Sequence, residues 1–147
     1  MPTLRNTLAT SAPPEALWSI VGDPERVAAW IPGIERVSVE WTDADRTRAT
    51  RVCTFAGDIV QHEEIADYSP VTRSYRYQIE GGPMPLRSNR GRLTVRGAGD
   101  GGSLLEWESE IEPADPAQAT QIVGMLDGAY KQVLDGLKRL VEAAPVP

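Results

Sequence analysis

The stretch LLEWESEIE, residues 104–112, alternates large apolar side chains with glutamates. Successive side chains of a β-strand point to opposite faces, so the four glutamates share one face. Four carboxylates cannot all be buried without partners. The stretch therefore predicts a strand with Trp107 and Ile111 on its inner face, and it decides which face of the surrounding sheet is inside.

Other runs of alternating or β-branched residues precede this strand, and short turns separate most of them. The predicted strands are 3–10, 34–41, 46–55, 58–68, 72–81, 86–97 and 103–112. Connections of two to five residues join antiparallel neighbours, so the last six runs predict a meander.

Helix signals occur at both ends of the chain. After the first strand, Ser11 is expected to cap one short helix, and Asp23 caps a second with Pro24 in its first turn. A capping box at 115–118 predicts the start of a long helix, and Pro145 is expected to end it. Its broad apolar face comprises Ile122, Val123, Leu126, Ala129, Tyr130, Val133, Leu134, Leu137, Leu140 and Val141. The order β-α-α-β6-α predicts an α+β fold with a curved antiparallel sheet around this helix.

Composition limits the classes of protein to be considered. The chain has 147 residues, 41% of them hydrophobic, a net charge of −6 and one cysteine. These values predict one folded domain, 1–147, without an internal disulfide, a transmembrane helix or a secretory signal. We expect it in the cytoplasm, without a bound metal or other cofactor, without contact with the membrane interior, and without a general role on nucleic acid.

The hairpin RVCTFAGDIVQHEEI, residues 51–65, places charges on a face that should be apolar. If three residues form its turn, Arg51 stands opposite Glu63 on the inner face; if two do, Arg51 faces His62. The first register is preferred because it keeps Ile59 and Ile65 inside with Cys53. The two charges then form a pair inside a pocket, or they are exposed or form a structural ion pair at the rim of the sheet, and spacing alone leaves these alternatives open.

Large aromatic residues lie on the predicted inner face. Tyr75, Tyr77 and Trp107 alternate with polar residues along their strands, and Phe55 precedes the hairpin turn. The long helix adds Tyr130, with Met125 near the border of its apolar face. Such a wall is compatible with a packed core and with an apolar ligand pocket.

Arginines between 87 and 96 lie on the outer face of the strand next to the glutamate row. One interpretation is a nucleic-acid patch. We prefer cross-strand charge pairing on a solvated face, because the neutralising row is adjacent.

Several quoted stretches, taken together and in order, resemble one superfamily. They are APPEALWSIVGDPERVAAWIPGIERV (12–37), TRVCTFAGDIVQHEEI (50–65), YRYQIEGGPMPLRSNRGRLTV (75–95), GDGGSLLEWESEIEP (99–113) and DGAYKQVLDGLKRL (127–140). The chain resembles the START/birch-pollen-allergen (SRPBCC) superfamily over nearly its whole length, and most resembles its bacterial polyketide cyclase/dehydrase-like branch.

The resemblance implies a helix-grip fold, in which the sheet grips the C-terminal helix around a cavity that binds small hydrophobic molecules. Relatives often carry Tyr two residues before the motif glycine Gly91, where this chain has Asn89. The expected ligand-binding residues are Trp18, Trp30, Arg51, Cys53, Phe55, Glu63, Tyr75, Tyr77, Asn89, Trp107, Met125 and Tyr130.

Three functions remain open from the sequence. The first is binding of a hydrophobic or aromatic molecule, polyketide-like or lipid-like, in the cavity. The second is a cyclase, aromatase or dehydratase using the same pocket, although no catalytic residue is identified. The third is an interaction module without a ligand, for instance a homodimer formed through strand edges.

Overall fold

The computed structural model describes residues 2–143. Seven strands form one antiparallel sheet in the order β1-β7-β6-β5-β4-β3-β2. The strands are β1 (Thr3–Thr10), β2 (Ile34–Trp41), β3 (Ala49–Phe55), β4 (Ile59–Ser69), β5 (Ser74–Gly81), β6 (Leu86–Gly97) and β7 (Ser103–Pro113). The predicted meander from β2 to β7 is confirmed, and β1 pairs with β7 at the far edge.

Two helices and two 3₁₀ helices complete the element order. They are α1 (Pro14–Val21), α2 (Ala119–Glu142), and the 3₁₀ helices Pro24–Ala29 and Pro116–Gln118. The long helix α2 lies against the inner face of the curved sheet and shares its main hydrophobic core. This arrangement is the predicted helix-grip α+β fold. No helix within residues 2–143 is both long enough and apolar enough to cross a membrane.

Two strands, β3 and β5, begin two or three residues later than predicted because turns take their first residues. The Asp43 carboxylate accepts hydrogen bonds from the backbone N–H groups of Thr47 and Arg48, and Arg46 has a positive φ of 55°. These contacts hold 46–48 in a turn, so β3 starts at residue 49. Arg73 also has a positive φ, of 50°, and belongs to the turn before β5, which starts at Ser74.

The predicted helix starts are partly wrong. Pro13 takes the N-cap position of α1 without a side-chain hydrogen bond, so Ser11 does not cap it. Asp23 accepts from Glu25 N as expected, but it caps a 3₁₀ helix. Asp115 likewise caps only the three-residue 3₁₀ helix, and α2 begins after Gln118 without the reciprocal bond of a capping box. The predicted stop at Pro145 lies outside the described residues.

The predicted inner face of the sheet is confirmed. Trp107 and Ile111 of β7 are buried, as are Tyr75 and Tyr77 of β5. Two predictions at the periphery are wrong. Ile59 lies at the tip of the hairpin and is 40% exposed, and Leu140 near the end of α2 is also 40% exposed.

The outer face carries the predicted charge pairs between β6 and β7. Arg90 Nη2 lies 2.9 Å from Glu110 Oε2, and Arg96 Nε lies 2.9 Å from Glu106 Oε1. Partly exposed pairs of this kind contribute about 0.2–1 kcal/mol each. The arginine row is therefore neutralised largely by its own sheet.

Gly91 allows three strands to pack closely at the centre of the sheet. It stands opposite Tyr77 on β5 and Ser109 on β7. A Cβ atom built on it would overlap the Tyr77 side chain and the backbone oxygen of Glu108. The missing side chain gives the Tyr77 ring its place on the inner face.

We expect Gly91→Ala to lower the free energy of unfolding by about 1–3 kcal/mol, because backbone or a buried ring must move to admit one methyl group. Urea denaturation followed by circular dichroism measures this change. The matched control is Gly99→Ala, where nothing lies within 4 Å of the added atom. Equal stability of the two variants would contradict the close packing described for Gly91.

Candidate functional site

A cavity of about 240 Å³ lies between the inner face of the sheet and α2. The first 3₁₀ helix, the turn that leads into β2 and the β5–β6 turn provide the rest of its wall. Most of its lining is apolar or aromatic, which is typical of sites for small organic molecules. Nine of the twelve expected site residues line it: Trp30, Arg51, Phe55, Glu63, Tyr75, Tyr77, Asn89, Trp107 and Tyr130.

Sequence reasoning missed part of the lining. Gln61 of β4 lines the cavity, and its inward parity with Cys53 and Phe55 could have identified it. Ala129 and Val133 belong to the predicted apolar face of α2. Pro83 and Met84 come from the β5–β6 turn, and nothing in the local pattern indicates that this turn reaches the cavity.

Two expected residues lie away from the cavity. Trp18 packs outside the cavity lining, with its ring centroid 5.6 Å from that of Tyr68, which in turn packs edge-on against Trp41. Met125 is 50% exposed because the adjacent Leu126 takes the inward position on α2. Neither side chain contributes to the cavity wall.

Arg51 and Glu63 form a buried, bidentate ion pair. The three-residue turn is confirmed, and the two residues are direct cross-strand partners. Arg51 Nε donates to Glu63 Oε2 at 3.1 Å, and Nη2 donates to Oε1 at 2.8 Å. Each side chain is 4% exposed, so the pair lies at the cavity wall inside the protein and not at an exposed rim.

The hydrogen bonds of this pair continue into its surroundings. Arg51 Nη1 donates to the backbone oxygen of Pro24 at 3.1 Å. Glu63 Oε2 also accepts from the Cys53 thiol at 3.1 Å and from Gln61 Nε2 at 3.3 Å. Cys53 therefore lies behind the pair, fully buried, and not on the cavity surface.

The side chains of Arg51, Cys53 and Tyr75 keep their ordinary protonation states. Burial would lower the pKa of Arg51, but the charge of Glu63 and its hydrogen bonds outweigh that effect and raise it. Burial, followed by the negative charge of Glu63, raises the pKa of Cys53 to about 12. Burial raises the pKa of Tyr75 to about 12 despite the nearby Arg51. Near neutral pH the thiol and phenol are therefore uncharged.

Three sheet side chains hold the backbone between α1 and the first 3₁₀ helix. Tyr75 donates to the backbone oxygen of Val21 at 3.2 Å, and Tyr68 donates to that of Gly22. Arg51 provides the third bond, to Pro24. Because the 3₁₀ helix leads directly to Trp30, these bonds position one wall of the cavity.

The opposite part of the cavity is an aromatic cluster. Trp107 Nε1 donates to the Tyr77 hydroxyl at 2.8 Å, and its ring stacks on Tyr130 at a centroid distance of 4.1 Å. Trp30 meets Trp107 edge-on at 5.8 Å. Burial raises the pKa of both tyrosines, so their hydroxyls remain protonated hydrogen-bonding groups.

The chemistry of this site is that of a mostly apolar cavity with neutral hydrogen-bonding groups and one internally compensated ion pair. Flat rings favour contact with other rings in offset or edge-on geometry, and the cluster offers such surfaces. Within residues 2–143, no group of three or more His, Cys, Asp or Glu side chains is arranged to hold a metal ion.

Comparisons with known proteins agree with this architecture. A protein of Mycobacterium tuberculosis, described only as uncharacterised, is 28% identical over 152 residues, covering 95% of this chain and 84% of that protein. A START superfamily protein from Mycobacterium smegmatis has a similar structure, with a TM-score of 0.71 and 18% identity over 97% of this chain and 99% of that one.

The di-domain ARO/CYC protein BexL from the BE-7585A biosynthetic pathway is also similar in structure, with a TM-score of 0.77 and 17% identity. The match covers 99% of this chain and 48% of BexL. The family model described as polyketide cyclase / dehydrase and lipid transport matches residues 1–142. The chain therefore belongs to this family.

Proposed function

We propose that residues 1–147 act as a single-domain cytoplasmic protein that binds one small hydrophobic or aromatic molecule in the cavity between the sheet and α2. The observation that carries the proposal is the cavity itself, about 240 Å³ in a family whose description includes lipid transport. Pockets for drug-sized ligands are commonly about 300–1,000 Å³, so the guest is small.

The nature of the wall supports an aromatic guest. Tyr77, Trp107 and Tyr130 form a connected set of rings on one side, and Trp30 provides a further ring from the 3₁₀ segment. Contact between well-placed rings contributes about 0.5–1.5 kcal/mol beyond the burial of apolar area. A flat molecule therefore gains more from this cavity than a branched aliphatic molecule of equal area.

An enzymatic role in the same cavity requires an acid, a base or a free electrophilic group. Arg51 already donates to Glu63 and to Pro24 O, and burial raises the pKa of Tyr75 to about 12. General acids and bases work best when their pKa lies near the operating pH. The cavity residues thus favour binding over cyclisation or dehydration.

The first test places a bulky ring in the cavity. Ala129 lines the cavity from an exposed position on α2, so the ring of Ala129→Trp can occupy the cavity without replacing a buried side chain. We expect the variant to bind 2-methoxynaphthalene, an uncharged aromatic probe, at least about tenfold more weakly than the unmodified protein, a loss of about 1.4 kcal/mol. Equilibrium dialysis measures the affinity.

The matched control is Gln132→Trp, which adds the same ring at an exposed position of α2 outside the cavity lining. It should bind the probe as the unmodified protein does. Thermal unfolding by circular dichroism establishes that both variants are folded. No binding of the probe by the unmodified protein, or equal binding by both variants, would refute a guest site in this cavity.

A second prediction concerns the stability of the Arg51–Glu63 pair. We expect Arg51→Met to lower the free energy of unfolding by about 3–5 kcal/mol, because it leaves the Glu63 carboxylate buried without its counter-charge. The double variant Arg51→Met/Glu63→Leu removes both charges and should recover most of this loss. Urea denaturation measures both values. A loss below about 1 kcal/mol for Arg51→Met would show that the pair behaves as an exposed one.

A further inference from the structure

The ion pair at the cavity wall offers no free charge to a guest. Both Glu63 oxygens accept hydrogen bonds from Arg51, and Oε2 accepts two more from Cys53 and Gln61. Arg51 Nη1 donates to the backbone oxygen of Pro24. A carboxylate or an ammonium group entering the cavity would have to break this arrangement to gain a partner.

The other polar side chains of the wall carry no charge either. Burial raises the pKa values of Tyr75, Tyr77 and Tyr130, which keeps all three hydroxyls protonated at neutral pH. An ion transferred from water into such surroundings loses its hydration without compensation. The cavity therefore discriminates against ionised guests.

One amide on the wall has unused hydrogen-bonding capacity. Asn89 lines the cavity from β6, and its Oδ1 atom is buried without a hydrogen-bond partner among residues 2–143. Its neighbour is the Tyr130 hydroxyl, whose pKa is raised by burial and lowered in part by Asn89. A buried acceptor without a donor is costly, so a donor supplied by a guest would be favoured.

The other buried polar atoms without partners are placed differently. Asn6 and Ser109 do not line the cavity. Trp30 does, but its unpartnered atom is the indole Nε1–H, a donor, which cannot distinguish a hydroxyl group from its methyl ether. Asn89 is therefore the side chain on this wall whose free acceptor can distinguish a guest with a hydrogen-bond donor from one without.

We infer that the guest is uncharged and carries a hydroxyl group that donates a hydrogen bond to the Asn89 amide, which makes Asn89 a specificity-determining residue. This inference rests on the proposed function, because it requires that the cavity bind a guest. The chemical class is that of small neutral aromatic alcohols and phenols.

Three probes that share one ring system test the inference by equilibrium dialysis at neutral pH. They are 2-naphthol, which has a hydroxyl donor, 2-methoxynaphthalene, in which the donor is capped, and 2-naphthoate, which is an anion. We expect 2-naphthol to bind about fivefold to tenfold more tightly than 2-methoxynaphthalene, the contribution of one neutral hydrogen bond. We expect 2-naphthoate to bind at least about 100-fold more weakly than 2-naphthol.

The variant Asn89→Leu removes the amide at nearly constant size. It should bind 2-naphthol and 2-methoxynaphthalene equally, while it retains affinity for the shared ring system. Asn6→Leu is the matched control, because Asn6 on the inner face also has a buried amide atom without a partner among the described residues but lies outside the cavity lining. It should keep the preference for 2-naphthol. If Asn89→Leu does not fold, Asn89→Ala tests the same loss without a bulky side chain.

The outcomes separate this inference from the proposed function. If none of the probes binds, the guest site itself is refuted. If 2-naphthol and 2-methoxynaphthalene bind the unmodified protein equally, the guest site stands and the assignment to Asn89 is overturned. Tight binding of 2-naphthoate would overturn the requirement for an uncharged guest. Loss of the preference in Asn6→Leu as well would also overturn the assignment to Asn89.

Discussion

The buried ion pair of Arg51 and Glu63 is the interaction on which the rest of the structure depends. It joins β3 to β4 in a single register, since a shift of one residue would leave a charge without its partner. Its third bond, to Pro24 O, connects the sheet to the 3₁₀ helix that leads to Trp30. The pair therefore sets both the sheet alignment and one wall of the cavity.

Close packing on the opposite side of the cavity follows from a missing side chain. Gly91 admits the Tyr77 ring, and the Tyr77 hydroxyl accepts the hydrogen bond of Trp107. Trp107 then stacks on Tyr130 of α2. This sequence of contacts connects the centre of the sheet to the long helix and leaves the space between them open instead of filling it with a larger side chain.

The meander from β2 to β7, the inner face and the opposed charges could be predicted from the sequence, because turns this short join neighbouring strands and one register both buries the apolar groups and pairs the ions. The pairing of β1 with β7 did not follow from the sequence pattern. The observed starts of β3 at Ala49 and of β5 at Ser74 could not be predicted, because turn geometry competes with β-propensity in the residues before them. The residues that line the cavity were harder to predict. Met125 and Trp18 were expected in the cavity wall, but neither lines it. Which residues line a cavity depends on elements that are distant in the sequence, and Met84 of the β5–β6 turn is an example.

The distribution of the four tryptophans has an optical consequence. Trp30 and Trp107 border the cavity, whereas Trp18 and Trp41 pack with Tyr68 outside its lining. An aromatic guest would contact the indoles of Trp30 and Trp107 and would not contact the other two. Intrinsic emission from this protein thus contains an internal reference alongside a component that responds to occupancy, so loading can be followed without a label.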